Sequence, residues 1–147
     1  MKSLRNRVLM LVAAGLLSIG LGASAAQAQA TYKGSFTLPD DIRWQNSKMP
    51  AGNYTFVVTS ASRNQPITVT GPDGTVFQLP LFVENTKLTE KSVLKLEWRG
   101  EDIYVREMDL GQVGLSFAYR VPKATANDKL LAKAGTDQIL IAMTVAK

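Results

Sequence analysis

The sequence contains no cysteine and no histidine among its 147 residues. The absence of cysteine excludes disulfides, thiolate metal sites, cysteine nucleophiles and the lipid-attachment cysteine of a bacterial lipoprotein. The absence of histidine excludes a Ser-His-Asp triad, imidazole zinc sites and the side chain that most often acts as a general base near neutral pH. The acidic residues also lack the spacing of a calcium loop. No metal and no other cofactor is therefore expected.

Acidic residues are missing from the first 30 positions, which contain three basic side chains between positions 2 and 7. An uncharged apolar stretch follows at 8–21. Ala28 and Ala30 then place small residues at the −3 and −1 positions of a cleavage site, with cleavage after Ala28 as the alternative. The apolar stretch has about 14 residues, fewer than the ~20 that a membrane-spanning helix needs. These features predict a cleaved Sec-type signal peptide at residues 1–30 and an exported protein, periplasmic or secreted.

Long apolar runs are missing from the rest of the chain, where no segment approaches ~18 consecutive apolar residues, so no membrane span is expected after removal of the signal. Three of the 17 basic residues lie in the leader, and the remaining 14 basic and 12 acidic residues give residues 31–147 a net charge of +2. Because the two signs are interspersed, there is no basic patch of the kind that binds nucleic acid. The length predicts one folded domain at 31–147.

The chain does contain alternating apolar and polar residues, the period of a half-buried β-strand. The clearest alternating runs are 32–38, 53–60, 66–70, 75–79, 93–99, 103–109, 113–121 and 139–145. Together with the short run Ile42–Trp44, they predict an all-β domain of eight or nine short strands, either an antiparallel β-sandwich or a small closed barrel. One short helix is predicted before the last strand, at Asn127–Gly135, with Asn127 as its cap. Leu130 and Leu131 would belong to its apolar stripe.

The clearest predicted hairpin joins 66–70 to 75–79. The sequence Gly-Pro-Asp-Gly at 71–74 is typical of a type I turn whose last glycine takes a positive φ and forms a G1 bulge. That register places Val69 opposite Phe77, so both strands would present one apolar face to the core.

A second hairpin is predicted around Gly100-Glu101, a pair suited to a type II′ turn. Its register places Glu107 opposite Leu94 on the apolar face. A carboxylate there would be desolvated, which would raise its pKa and make Glu107 a candidate general acid. The alternative is that Glu107 lies where the strand frays and its side chain reaches water.

The outward face of this hairpin is the best-placed candidate binding surface. Tyr104 falls on that face beside Lys95, Glu97 and Arg106. A charged and partly aromatic pair of strands suits ligand binding, although the same pattern is also typical of a solvated sheet face.

Trp44, Trp98 and Tyr54 are the aromatic residues that would stack on a sugar ring if the protein resembled an aromatic carbohydrate-binding module. Each is in phase with the apolar face of its own strand. Core packing is therefore the expected role of all three.

Residues 36–54 carry a resemblance to a known group of proteins. The chain reads Phe-Thr-Leu-Pro at 36–39, Trp44, and Met-Pro-Ala-Gly-Asn-Tyr at 49–54. This pattern resembles an uncharacterised family of small exported all-β proteins from acidobacteria-like soil bacteria, in which F-T-L-P, a tryptophan and L-P-A-G-x-Y precede a strand. Met49 stands where leucine is usual. The resemblance covers residues 34–122 and implies export and an all-β domain, but no activity and no site residues.

These observations favour an exported, non-enzymatic binding or structural module of the cell envelope or extracellular space, with a protein or a glycan as its partner. Tyr32–Leu38 and the C-terminal strand are expected to be edge strands that could pair with a partner or with a second copy of the chain. The alternative is a small-ligand or carbohydrate-binding protein. A hydrolase that uses carboxylates alone is the third reading, and no nucleophile–base–stabiliser arrangement supports it.

Overall fold

The computed structural model describes residues 30–59, 61, 64–133 and 138–146. Ala28 and nearly all of the predicted signal peptide lie outside the described residues. Within the described part of the chain, no helix has both the length and the apolar character needed to cross a membrane.

The described residues form eleven strands, one α-helix and one short 3-10 turn. The strands are β1 (Tyr32–Leu38), β2 (Ile42–Trp44), β3 (Ser47–Met49), β4 (Gly52–Val58), β5 (Ile67–Gly71), β6 (Gly74–Gln78), β7 (Phe82–Asn85), β8 (Ser92–Arg99), β9 (Asp102–Leu110), β10 (Leu115–Ala118) and β11 (Gln138–Ala146). The 3-10 turn is Gly111–Val113 and the helix, α1, is Ala126–Lys133. The very short β3 and β7 were not predicted.

The strands form one sheet in the order β3-β2-β9-β8-β11-β1-β4-β5-β6, with β10 joined to both β9 and β7. All pairings are antiparallel except the one between β2 and β9. The sheet curls so far that it is nearly closed, like a barrel. The predicted all-β fold with a short helix before the last strand is therefore confirmed.

The interior of the curled sheet is filled by one apolar cluster that draws on nearly every strand. Phe36 stacks on Tyr54 with ring centroids 5.5 Å apart, and Trp44 meets the edge of Tyr119 at 5.0 Å. Trp44 and Tyr54 are buried and Trp98 is half-buried against the cluster, so their predicted place in the core is confirmed. Alternation in the sequence thus correctly separates inward from outward residues on most strands.

The β5–β6 hairpin has a different register from the predicted one. Gly71 pairs directly with Gly74, and Val69 lies opposite Val76 instead of Phe77. Gly74 does take a positive φ of 116°, but the hairpin has a two-residue loop and no bulge. Because a shift of one residue exchanges the two faces of a strand, Phe77 points outward and is 68% exposed, while Gln78 is buried.

The β8–β9 hairpin turns at Gly100 as predicted, but its register shifts between Lys95 and Leu96. Leu96 faces Val105 and Lys95 faces Glu107, which leaves Arg106 as the extra residue of a β-bulge. The placement of Glu107 opposite Leu94 on the apolar face is therefore wrong. The bulge returns Glu107 to the outward face.

Helix α1 is held by polar contacts at its N-terminus. Thr125 is its cap, because the Thr125 hydroxyl accepts from the Asp128 N–H at 3.2 Å and the Thr125 N–H donates to the Asp128 carboxylate at 2.7 Å. The predicted cap at Asn127 is wrong by two residues. The Gly100 N–H also donates to Asp128, at 2.9 Å, and these bonds lower the pKa of the carboxyl group. The helix is thereby fastened to the β8–β9 turn, while its two leucines remain 66% and 37% exposed.

The strands expected at the sheet edges are internal. β1 lies between β11 and β4, and β11 lies between β8 and β1. The strands with an unpaired edge, within the part of the chain that the structure describes, are β3, β6 and β7. β1 and β11 are therefore not edge strands of the sheet, although β11 pairs only with β8 over residues 138–142 and only with β1 over residues 144–146.

Candidate functional site

The candidate site lies where one edge of β9 changes its neighbour. Near the start of β9, Tyr104 pairs with Arg43 of β2. Farther along, from Glu107 onward, the same edge pairs with β10, and the Tyr119 N–H extends this pairing by donating to the Arg106 carbonyl at 2.9 Å. Between β2 and β10 the edge opens into a cleft.

This cleft, called here the arginine cleft, has a volume of about 650 Å³. It is lined by Arg43, Gln45, Asn46, Leu79, Pro80, Leu81, Tyr104, Arg120, Val121 and Pro122. Three chain segments therefore meet there: the β2–β3 turn, the connection after β6 and the connection after β10. The volume is within the range of sites that hold small organic ligands.

One wall of the cleft is fixed by an unusual backbone conformation. Gln45, in the β2–β3 turn, has a φ of 54°, and no other non-glycine residue of the described chain has a positive φ. Its side-chain amide donates to the Leu79 carbonyl at 2.8 Å, so the turn is tied to the connection after β6. A positive φ costs about 1 kcal/mol or more in a residue with a Cβ, and such conformations concentrate at functional sites.

The charges around the cleft leave one arginine without an anionic partner. The Arg43 Nε donates to Asp102 at 2.9 Å. Arg120, which is exposed, forms no ion pair with any of the described residues. The cleft therefore offers a guanidinium group whose donors are available to a ligand.

Leu79 and Leu81 line the cleft together with this cation, and they belong to an exposed apolar segment. Phe77, Leu79, Leu81 and Phe82 are exposed at 68%, 49%, 48% and 44%, all within six consecutive residues. A cluster of large apolar side chains in water is unusual for a protein surface and marks a binding region far more often than isolated exposed residues do.

A smaller hollow of about 440 Å³ continues from the arginine cleft and shares Leu81, Arg120 and Val121 with it. Arg106 and Glu107 lie on its wall. Burial by itself would raise the pKa of Glu107, but hydrogen bonds from Lys95 at 2.9 Å and from Ser116 at 2.7 Å outweigh it and hold the pKa below its ordinary value. Glu107 is thus an ionised partner of Lys95 and does not have the raised pKa predicted for a general acid.

The structure divides the binding surface predicted from the sequence. Tyr104 lines the arginine cleft and Arg106 lines the adjoining hollow. Lys95 is occupied by Glu107 and also lies 3.7 Å from Asp109.

Glu97, the fourth residue of the predicted surface, is buried within a group of ion pairs. It is only 4% exposed and is held by two arginines, Arg99 and Arg106, the latter with its Nη1 2.7 Å from the carboxylate. The Arg99 Nε in turn donates to the Pro122 carbonyl at 3.1 Å, so the chain after β10 passes beside this group.

Sequence reasoning missed Arg43, Arg120 and the exposed apolar segment. The two arginines come together because β2 and β10 both pair with β9, which no local pattern indicates. The segment 77–82, Phe-Gln-Leu-Pro-Leu-Phe, did carry a signal, because it is apolar without strict alternation and extends beyond the hairpin.

Comparison with known proteins adds no relative: the chain matches no protein-family model, and no significant similarity to a curated protein or to a solved structure was found.

Proposed function

We propose that the protein is an exported, non-catalytic binding module and that its arginine cleft binds a ligand with an anionic group and an apolar body. The observation that carries this proposal is the position of the unpaired Arg120 beside the exposed apolar segment 77–82, around a cleft of about 650 Å³. The anionic group would bind Arg120, and the apolar body would cover the exposed apolar side chains.

The chemistry of the two halves supports this ligand class. A guanidinium group binds a carboxylate, sulfate or phosphate through paired, charge-assisted hydrogen bonds. Leu79 and Leu81 would be covered by the apolar body, which removes their surface from water at about 25 cal/mol per Å². Tyr104 adds a half-buried ring at the base of the same cleft.

Export is supported by the leader pattern and by the resemblance to small exported all-β proteins. Cleavage after Ala30 would leave every described strand in place, because β1 begins at Tyr32. The ligand would then be met in the periplasm or outside the cell.

The non-catalytic assignment is supported by the state of the strongest candidate acid. Glu107 is paired with Lys95 and hydrogen-bonded by Ser116, and its pKa is lowered. A carboxylate with these partners is a poor proton donor near neutral pH.

The test is a calorimetric titration of the exported, processed protein with octanoate and with octyltrimethylammonium, which have the same alkyl chain and opposite charges. We expect octanoate to bind and the cation not to bind. Arg120→Gln should weaken octanoate binding by about tenfold or more, as expected for the loss of a charge-assisted hydrogen bond worth ~1.5–3 kcal/mol. Lys123→Gln, which removes an exposed cation outside the cleft, is the matched control. Equal affinity for octanoate and octyltrimethylammonium would contradict the proposal.

A second candidate function is strand pairing with a protein partner or a second copy of the chain. It is favoured by the unpaired edge of β6, where Phe77 is 68% exposed. Native mass spectrometry of the wild type and of Phe77→Ser tests it. Loss of an oligomer in the variant supports strand pairing at β6, and a wild type that is monomeric with no bound protein contradicts it.

A further inference from the structure

Five hydroxyl-bearing residues form a continuous row across five neighbouring strands. Thr144 of β11 is paired with Ser35 of β1, Ser35 with Thr55 of β4, Thr55 with Thr70 of β5, and Thr70 with Thr75 of β6. All five side chains are exposed on the outward face. This set is called here the hydroxyl row.

The hydroxyls of the row are already aligned by hydrogen bonds. Ser35 and Thr144 are 2.7 Å apart at their oxygens, and Thr70 and Thr75 are 2.9 Å apart. Thr55 lies between these two pairs. In each pair one hydroxyl donates to the other, so the row retains both donors and acceptors for a ligand.

A hollow of about 520 Å³ covers one end of the row, over β11, β1 and β4. Thr37 and Asn53 form a further polar pair inside it, with the Thr37 hydroxyl 2.7 Å from the Asn53 amide oxygen. Leu140 and Ala142 supply exposed apolar surface on its β11 side, and Leu140 is 61% exposed. None of the residues that line this hollow carries a charge.

We propose that this face is a second binding site, separate from the arginine cleft, and that it takes an uncharged, extended glycan chain lying across the strands. The hydroxyl row repeats at the spacing of neighbouring strands, about 4.8 Å. This spacing is close to the length of one hexose unit in an extended polymer. Successive sugar units would therefore lie over successive strands.

The chemistry of the face selects this ligand over others. Sugar hydroxyls both donate and accept, as the protein hydroxyls do, so each hydrogen bond to water that is lost on binding can be replaced. A purely apolar ligand would leave the hydroxyls without partners. The lining of the hollow offers no cation to an anionic glycan. The apolar surface of Leu140 and Ala142 suits the C–H face of a sugar ring.

The test uses three hexasaccharides of different shape and charge, each titrated into the full processed protein. β-1,4-linked glucose is extended and neutral, α-1,4-linked glucose is neutral but curved, and the galacturonic acid hexamer is charged. We expect the first to bind at least about tenfold more tightly than the other two, as expected when several hydrogen bonds fit only one shape. Equal affinity for all three, tighter binding of the charged hexamer, or no binding of the extended neutral hexamer would overturn the proposal.

Variants locate the binding on the hydroxyl row. Thr55→Val removes one hydroxyl but keeps the β-branched shape, and should weaken binding of the extended hexamer by about three- to tenfold. Thr68→Val makes the same change on the outward face of β5, in the neighbouring row opposite Val57, and should leave the affinity within about twofold. Thr144→Val is a second test at the other end of the row, with near-ultraviolet circular dichroism to verify folding. Equal affinities of all three variants and the wild type would contradict a site on the row.

Discussion

The outward surface of the sheet has two sides of opposite chemistry around a shared interior. On the charged side, β8 and β9 carry Lys95, Glu97, Arg99, Arg106, Glu107 and Asp109, most of which are paired with one another. On the hydroxyl side, β11, β1, β4, β5 and β6 carry threonines and a serine in register. The same apolar alternation faces the core on both sides, so the two sides differ in their outward side chains and not in how they pack against the core.

Charged side chains on this protein's surface occur in two different environments. Glu97 and Arg99 are largely buried and, together with the exposed Arg106, connect the two strands of the β8–β9 hairpin, whereas Arg120 lies outside these ion pairs at the cleft. On the hydroxyl side, the side-chain hydrogen bonds among the described residues are the hydroxyl pairs Ser35–Thr144 and Thr70–Thr75 and the Thr37–Asn53 bond, with no ion pair between them. Substitutions in the ion pairs of β8 and β9 should therefore affect stability, whereas substitutions of Arg120 and of the hydroxyl row should affect binding.

The largest effect is expected from Glu97→Ala. This change removes the carboxylate between Arg99 and Arg106 and leaves the mostly buried Arg99 without its partner, which should lower the free energy of unfolding by about 3 kcal/mol. Urea unfolding measures it. Glu101→Ala, at the exposed tip of the same hairpin, should change stability by less than about 0.5 kcal/mol. If both variants lost a similarly small free energy of unfolding, the ion pairs of Glu97 would not have the structural role given to them here.

A gain in stability is expected from Gln78→Leu, in the interior beneath the hydroxyl side. The side chain is 1% exposed and its Nε2 has no hydrogen-bond partner among the described residues. Replacing it with an apolar side chain of similar size should raise the free energy of unfolding by about 1 kcal/mol, because the cost of burying the amide disappears. The same change at the exposed Gln138 is the control. A loss of stability in Gln78→Leu would show that the amide has a partner in solution.

A smaller, pH-dependent effect is expected from the Lys95–Glu107 pair. The pKa of Glu107 in the folded protein is lowered from its ordinary value of 4.5, so the pair contributes stability above that value. This contribution should disappear as the pH falls through the folded pKa. Glu107→Gln should therefore reduce stability near pH 7. In thermal unfolding scans, the Tm of this variant should fall less steeply than that of the wild type as the pH is lowered. An unchanged acid limb in the variant would contradict the lowered pKa.

The smallest effect on stability is expected on the hydroxyl row. Thr55→Val and Thr144→Val should each change the free energy of unfolding by less than about 0.5 kcal/mol, because valine is as good a strand residue as threonine and both positions are exposed. Chemical unfolding of the two variants beside Glu97→Ala measures the contrast directly. A large loss of unfolding free energy in either threonine variant would show that the row has a structural role.

The limits of sequence reasoning in this protein are set by register and strand order. Alternation correctly predicted that residues such as Phe36, Leu96 and Met143 face the core, because period two is a local property. The bulge at Arg106 and the two-residue loop after Gly71 each shift one strand by a single residue, and turn composition does not separate such alternatives.

Strand order depends on the whole chain and cannot be predicted from local alternation. The sequence does not indicate that β11 inserts between β8 and β1, and so it does not indicate that Thr144 meets Ser35. The contact of Arg43 with Tyr104, which opens the arginine cleft, depends on the same long-range pairing. Tyr104 and Arg106 were predicted as surface residues, but their partners in the cleft and the hollow come from other parts of the chain.

The central claim is that the two sides bind different ligands, and one measurement tests it most directly. The isotopically labelled protein is titrated with octanoate and, separately, with the extended neutral glucose hexamer, and the backbone amide signals that move are mapped by nuclear magnetic resonance. We predict that octanoate shifts the amides around Leu81, Tyr104 and Arg120, while the hexamer shifts those around Ser35, Thr55 and Thr144. If both ligands shifted the same amides, or if neither ligand shifted any, the division of the surface into two binding sides would be contradicted.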